Sequence, residues 1–151
     1  MTDAAVLGRD AFLIVRVGTE RYGLPLADVR EVLDLASPRP VPSKSRALRG
    51  LMPLREHFVS LVHLGALIAE GTTPAALAET AAIVMVGGAR VALEVDDVEA
   101  VVDRSATFVG PASEPWASGI WRVGAELVTV LNLGVLGERI VTSGSGDDAG
   151  R

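Results

Sequence analysis

His57 and His63 are the only two histidines in the 151-residue chain, so they are its only side chains that ordinarily titrate near neutrality. They lie six residues apart in one extended run, which puts both on the same face of a strand. A metal site there needs a third ligand, and Glu56 points to the opposite face. The simpler expectation is a solvated His57 at a hairpin tip and a strand-end His63 bonded to backbone. Glu94, Asp96, Asp97, Glu99 and Asp103 form an acidic set, but it lacks the glycine and the ligand spacing of a calcium loop. Strand alternation splits that set between faces, and a solvated barrel face is expected for it. Gly87-Gly88 reads as a hairpin turn, because no helix follows to complete a phosphate cradle. Ser60 has no nucleophile elbow around it. No catalytic residue, metal site or cofactor is therefore expected. What remains is a binding surface. Arg55 stands at a hairpin tip, and the stretch from Arg39 to Arg55 holds Arg39, Lys44, Arg46, Arg49 and Arg55 with no acid. A planar, multidentate guanidinium suits partner carboxylates.

Bulk properties narrow the class. Apolar residues make up 49% of the chain, enough for a core, and cysteine is absent, which removes disulfides and thiolate metal sites. No apolar run approaches the ~18 residues of a membrane span. The N-terminal decapeptide carries acids where a signal peptide carries bases, so a cytoplasmic protein with no direct membrane insertion is expected. The net charge of −5 argues against nucleic acid as a partner. The charge is uneven. Residues 1–70 hold 9 bases and 8 acids, net +1, and residues 71–151 hold 5 bases and 11 acids, net −6. Such asymmetry points to different partners, or different faces of one partner.

The elements that must position Arg55 come in two copies. Gly50, Phe58, Val59, Leu64 and Gly65 match Gly119, Leu127, Val128, Leu133 and Gly134, each pair 69 residues apart. The same offset aligns 17–34 with 86–103, where 8 of 18 pairs are identical, among them Arg21 with Arg90 and Val32 with Val101. Two copies at so long a period mean duplicated half-domains rather than a solenoid. In the first copy, strands are expected at 11–17, 21–24 and 29–35, then a proline-rich loop and a hairpin over 47–64 with a short helix after it. The second copy repeats this at 82–86, 90–95 and 98–102, with a loop from Ser105 to Ala117, a hairpin over 119–131 and a short helix near 134–141. Five short antiparallel strands per copy bury an apolar face best as a small barrel. The expected fold is all-β: two five-stranded barrels with short helices at their ends. The expected division is a flexible leader 1–10, a first barrel 11–70, a connector 71–80, a second barrel 81–141 and a flexible tail 142–151.

Phe12-Leu13-Ile14-Val15, Tyr22-Gly23-Leu24, Val29-Arg30-Glu31-Val32, Val41-Pro42, Arg49-Gly50-Leu51-Met52-Pro53-Leu54-Arg55 and Leu61-Val62-His63-Leu64 carry a further signal. With Arg90 to Val101 and Gly119 to Leu136, they resemble the CheW-like domain of bacterial chemotaxis coupling proteins over about residues 11–140. The resemblance implies two SH3-like barrels and no catalysis. It also implies a stand-alone adaptor between the cytoplasmic tip of a chemoreceptor and the regulatory domain of a CheA-type histidine kinase, recruited to membrane-associated receptor arrays. The family's hairpin arginine falls on Arg55 and its strand-three glutamate on Glu31, while Val29 and Val101 fall on apolar partner-contact positions. Glu56 and Arg49 complete the candidate partner-binding set. The chain departs from the family's usual asparagine at Pro53, glycine at Glu56, proline at Ser60 and aspartate at His63. These departures bear on whether it serves chemotaxis or a related pathway for pili or gliding. The alternative, from a different class, is a double barrel that binds a small ligand or metal through His57, His63 and nearby acids.

Overall fold

A computed structural model describes residues 11–42, 46–69, 76–102 and 106–148, with side chains described through residue 140. The expected leader, Ser43 to Ser45 of the proline loop, Glu70, 71–75 of the connector, Asp103 of the acidic set with Arg104 and Ser105, and 149–151 of the tail lie outside the described residues. The strands are β1 (Phe12–Val17), β2 (Glu20–Pro25), β3 (Val29–Asp34), β4 (Leu48–Leu54), β5 (His57–His63), β6 (Thr80–Val86), β7 (Ala89–Val95), β8 (Asp97–Val102), β9 (Thr107–Gly110), β10 (Ala117–Val123) and β11 (Glu126–Leu131). Helix α1 is Leu64–Ile68 and helix α2 is Leu133–Asp148; a single 3-10 turn, Leu26–Asp28, links β2 to β3.

The strands form two sheets. One runs β3-β6-β7-β5-β4, and the other runs β8-β1-β2-β11-β10-β9. Substituting each strand by its partner 69 residues away converts the first order into the first five strands of the second. The registers obey the same rule. Leu13 pairs Leu24 as Ala82 pairs Leu93, and Phe12 pairs Val102 as Ala81 pairs Leu33. Even the register shift between Ile14 and Val15 on β8 recurs between Glu31 and Val29 on β6. The molecule therefore has an approximate internal two-fold.

The sheets do not follow the sequence halves. The hairpin β1–β2 belongs to the sheet of the second copy, and β6–β7 to the sheet of the first. The expected division into barrels of 11–70 and 81–141 is corrected accordingly: each copy lends its first hairpin to the other. The physical reason is that duplicated hairpins present equivalent edges, so pairing within a copy and pairing across copies look alike in sequence. Exchange of an identical element is then a low-cost arrangement.

Three cores follow from this exchange. Met52, Leu61, Ala81, Ile83 and Ala92 fill the inside of the five-stranded sheet, and Phe12, Ile14, Val102, Val128 and Val130 fill the six-stranded one. The largest cluster lies between them and includes Leu13, Val15, Leu24, Val62, Leu64, Leu93, Leu131 and Leu136. Strand alternation explains the division: on β7, Val91, Leu93 and Val95 face the other barrel while Ala92 faces its own.

Two elements differ from the sequence expectation. β9 occupies the expected loop between Ser105 and Ala117; it pairs with β10 and carries exposed Phe108 and Val109. Helix α2 continues to Asp148, past Val141, into the polar stretch expected as tail. Leu133, Leu136 and Ile140 anchor its first turns on the central core. Once a helix is nucleated, each further residue adds a backbone bond at little cost.

Candidate partner-binding site

Leu54 pairs His57, so Arg55 and Glu56 are the two turn residues between β4 and β5. Two-residue hairpin turns need a positive φ, which favours glycine. The equivalent turn of the second copy has Gly124 at φ +61°. Arg55 adopts φ +56° in the same place, and it is the only non-glycine residue with positive φ among the described residues. A side chain there crowds the following carbonyl, so Arg55 is held against its backbone preference.

Arg55 Nη2 donates a hydrogen bond of 2.6 Å to Glu31 Oε1. Glu31 sits at the register shift of β3 on β6, and such irregularities re-aim side chains. The Arg55 hydrogen bond holds the Glu31 carboxyl below its ordinary pKa against the opposing effect of partial burial, and the charges of Arg55 and Arg90 add to this. Arg55 is raised in return, chiefly by the same hydrogen bond and charge. Its side chain nevertheless stays 62% exposed, so it remains presentable to a partner.

Beside this pair lies an open groove of about 350 Å³ lined by Leu54, Arg55, His57, Phe58, Val59 and Arg90. Phe58 is 51% exposed on its wall. The guanidinium of Arg39 lies 5.6 Å from the Phe58 ring centroid, within cation–π range. Arg90 is exposed and makes no ion pair among the described residues. Phe58, Arg39 and Arg90 were not among the sequence candidates. The available signal was parity: Phe58 alternates with Val59 and Leu61, which face the barrel interior.

The other candidates are placed as follows. Glu56 is exposed beside Arg55 at the tip. Val29 is half-buried and packs on the central core, and Val101 is 59% exposed on β8, an edge of the other sheet. Arg49 turns inward instead. Its Nε and Nη2 donate to the two oxygens of Glu94 at 2.7 and 3.0 Å, and Nη2 also donates to the Ala76 carbonyl. Glu94 is 1% exposed and also accepts the Ala78 backbone N–H. This corrects the solvated face expected for Glu94. It stands within the apolar run Val91 to Val95, and a carboxylate can be buried there because a guanidinium fork and a backbone N–H satisfy it.

His63 Nδ1 accepts the Ala66 N–H and caps α1, as a strand-end histidine bonded to backbone was expected to do. Asn132, its counterpart, caps α2 through Val135 N–H in the same way. His57 lines the groove, so the structure does not bring the two histidines to one site. No group of three or more His, Asp or Glu side chains placed to hold a metal ion occurs among the described residues.

The CheW-like domain family model matches residues 11–140. The chain belongs to that family. Among solved structures it resembles the scaffolding protein TtCheW from Thermoanaerobacter tengcongensis, with a TM-score of 0.72 at 21% identity, covering 85% of this chain and 92% of that one. No curated protein matches the sequence. The two-sheet architecture is thus the SH3-like pair of this CheW-like family, whose members are non-catalytic scaffold adaptors of chemotaxis signal transduction. No described helix is long and apolar enough to cross a membrane.

Proposed function

We propose that this CheW-like chain couples the cytoplasmic tip of a chemoreceptor to the regulatory domain of a CheA-type histidine kinase. It acts without catalysis, in the cytoplasm, where it is recruited to membrane-associated receptor arrays. One observation carries the reading: an arginine occupies a left-handed turn position where the duplicated copy has glycine. The fold does not need a side chain there, and strained residues gather where a function retains them. The Glu31 carboxylate orients that arginine while leaving most of it accessible. Glu31, Arg55 and Glu56 form one contact region in this account, and exposed Val101 belongs to a second on the other sheet. Arg49 is left out of both because it is committed to Glu94. Calorimetric titration against a kinase regulatory domain and a receptor-tip fragment tests the reading. Both are expected to bind, and absence of binding to either overturns the coupling role.

A further inference from the structure

The groove beside Arg55 has a composition that its symmetry mate lacks. Its floor and wall are apolar: Leu54, Val59 and the exposed ring of Phe58. Its rim is cationic: Arg55 at one side, Arg90 at another, and Arg39 over the Phe58 ring. Against these charges stand Glu31, engaged by Arg55, and Glu56 at the hairpin tip. The equivalent positions in the second barrel are Val123, Gly124, Glu126, Leu127, Val128 and Arg21. There Arg21 is neutralised by Glu99 at 2.7 Å and by Glu126 at 3.4 Å, and glycine replaces the tip arginine. The duplication thus produced two similar surfaces that differ in the tip arginine and in the pairing of Arg90 and its counterpart Arg21. Arg90, exposed and without an ion pair among the described residues, is what the sequence candidates did not include.

We propose that this groove takes an apolar side chain flanked by carboxylates on the docking segment of a protein partner. The proposal rests on the adaptor reading and specifies what its partner presents at this site. The apolar side chain covers Phe58 and Val59. The flanking carboxylates meet Arg90 and the face of Arg55 that Glu31 leaves open, and fork-shaped guanidinium groups favour that geometry. Complementary charge also makes the partner choose this barrel over its twin, which offers similar shape but has glycine at the tip and its Arg21 already held by Glu99 and Glu126.

The test is an NMR titration of the 15N-labelled full chain with three blocked pentapeptides. The first is Glu-Glu-Leu-Glu-Glu, the second replaces every Glu by Gln, and the third replaces the Leu by Ser. The first peptide is expected to shift the amides of residues 54–59 and 90 saturably, and to leave those of 123–128 in place. The other two should bind about tenfold more weakly, since each lacks one of the two required chemistries. Arg90→Gln and Phe58→Ser, both at exposed positions, should each weaken the first peptide about fivefold or more with the remaining spectrum unchanged. Absence of shifts at 54–59, equal binding of the Gln peptide, or an unchanged affinity in Arg90→Gln overturns the proposal. So does a ten-nucleotide oligothymidine that binds the groove more tightly than the acidic peptide. A kinase regulatory domain titrated in parallel separates the two levels. Binding that ignores Arg90→Gln sinks the groove chemistry and spares the adaptor role. Peptide binding with no kinase or receptor binding does the reverse.

Discussion

Arg55 and Gly124 occupy one turn position in two copies of the same hairpin, both with positive φ. Glycine reaches that conformation freely and arginine does not. Arg55→Gly is therefore expected to leave the melting temperature unchanged or raised, because relief of the turn offsets loss of the exposed Glu31 pair. Arg55→Ala keeps the crowded Cβ and is expected to melt no higher than Arg55→Gly. A thermal scan of both variants checks this ordering. His63 and Asn132 are a second such pair, each capping a helix through a side-chain acceptor. Burial, the largest cause, holds the His63 imidazole below its ordinary 6.5; Arg49 lowers it further, and Glu94 and Asp96 oppose. The folded state thus favours the neutral ring. Its stabilising contribution is complete above the unfolded value and is lost as pH falls through about 6.5 toward the lower folded value. Wild type should lose melting temperature between pH 7.5 and pH 5.5, and His63→Asn, which keeps a cap that does not titrate, should lose less. Equal losses would contradict the assignment. The caps explain what the sequence could carry at this scale. A strand-end histidine bonded to backbone was legible, whereas the φ of Arg55 was not, because arginine has no turn signature.

The hairpin β4–β5 and strand β7 are where side-chain roles diverge most from composition. Arg49 belongs by sequence to the acid-free run that ends at Arg55, yet parity and the register of β4 turn it into the barrel end beside Glu94. The pair also fastens the connector between copies, through the Ala76 carbonyl and the Ala78 N–H. Glu94→Gln leaves an enclosed guanidinium without its counter-charge and should cost about 3 kcal/mol in chemical denaturation. Replacing both partners, as Arg49→Met with Glu94→Leu, should recover most of that loss. A double variant no more stable than Glu94→Gln would show that the pair is not the source of the cost. Gly50, at φ +142°, marks the same element from its backbone: a Cβ there would overlap the carbonyl oxygen of Arg39, which bridges to Leu51. Strand positions and both hairpins were legible from alternation and turn residues. β9 was not, because Thr107 to Gly110 is four residues long, runs directly into Pro111 and pairs with β10 at the edge of its sheet.

The 69-residue offset made the two-barrel fold readable from sequence, and the registers of both sheets repeat it pair for pair. The exchange of first hairpins was not readable, since identical edges accept either copy's hairpin. Its consequence is that neither sequence half holds a complete sheet. Cutting the chain within 71–75 and expressing the halves separately should give no cooperative melt from either alone, and mixing should restore one. A first half that folds alone with native-like spectra would contradict the exchanged topology. At the same scale, family membership and fold make the molecule a scaffold adaptor with two similar lobes, and Arg55 as the mark of its partner-facing lobe is the proposal to be tested. The most direct test is calorimetric titration of wild type and Arg55→Gly against a CheA-type kinase regulatory domain and a chemoreceptor-tip fragment. Wild type should bind both, and Arg55→Gly, folded and at least as heat-stable, should lose about tenfold or more in affinity for at least one of them. Equal affinities of the two proteins for both partners would contradict the assignment of Arg55 as the contact residue.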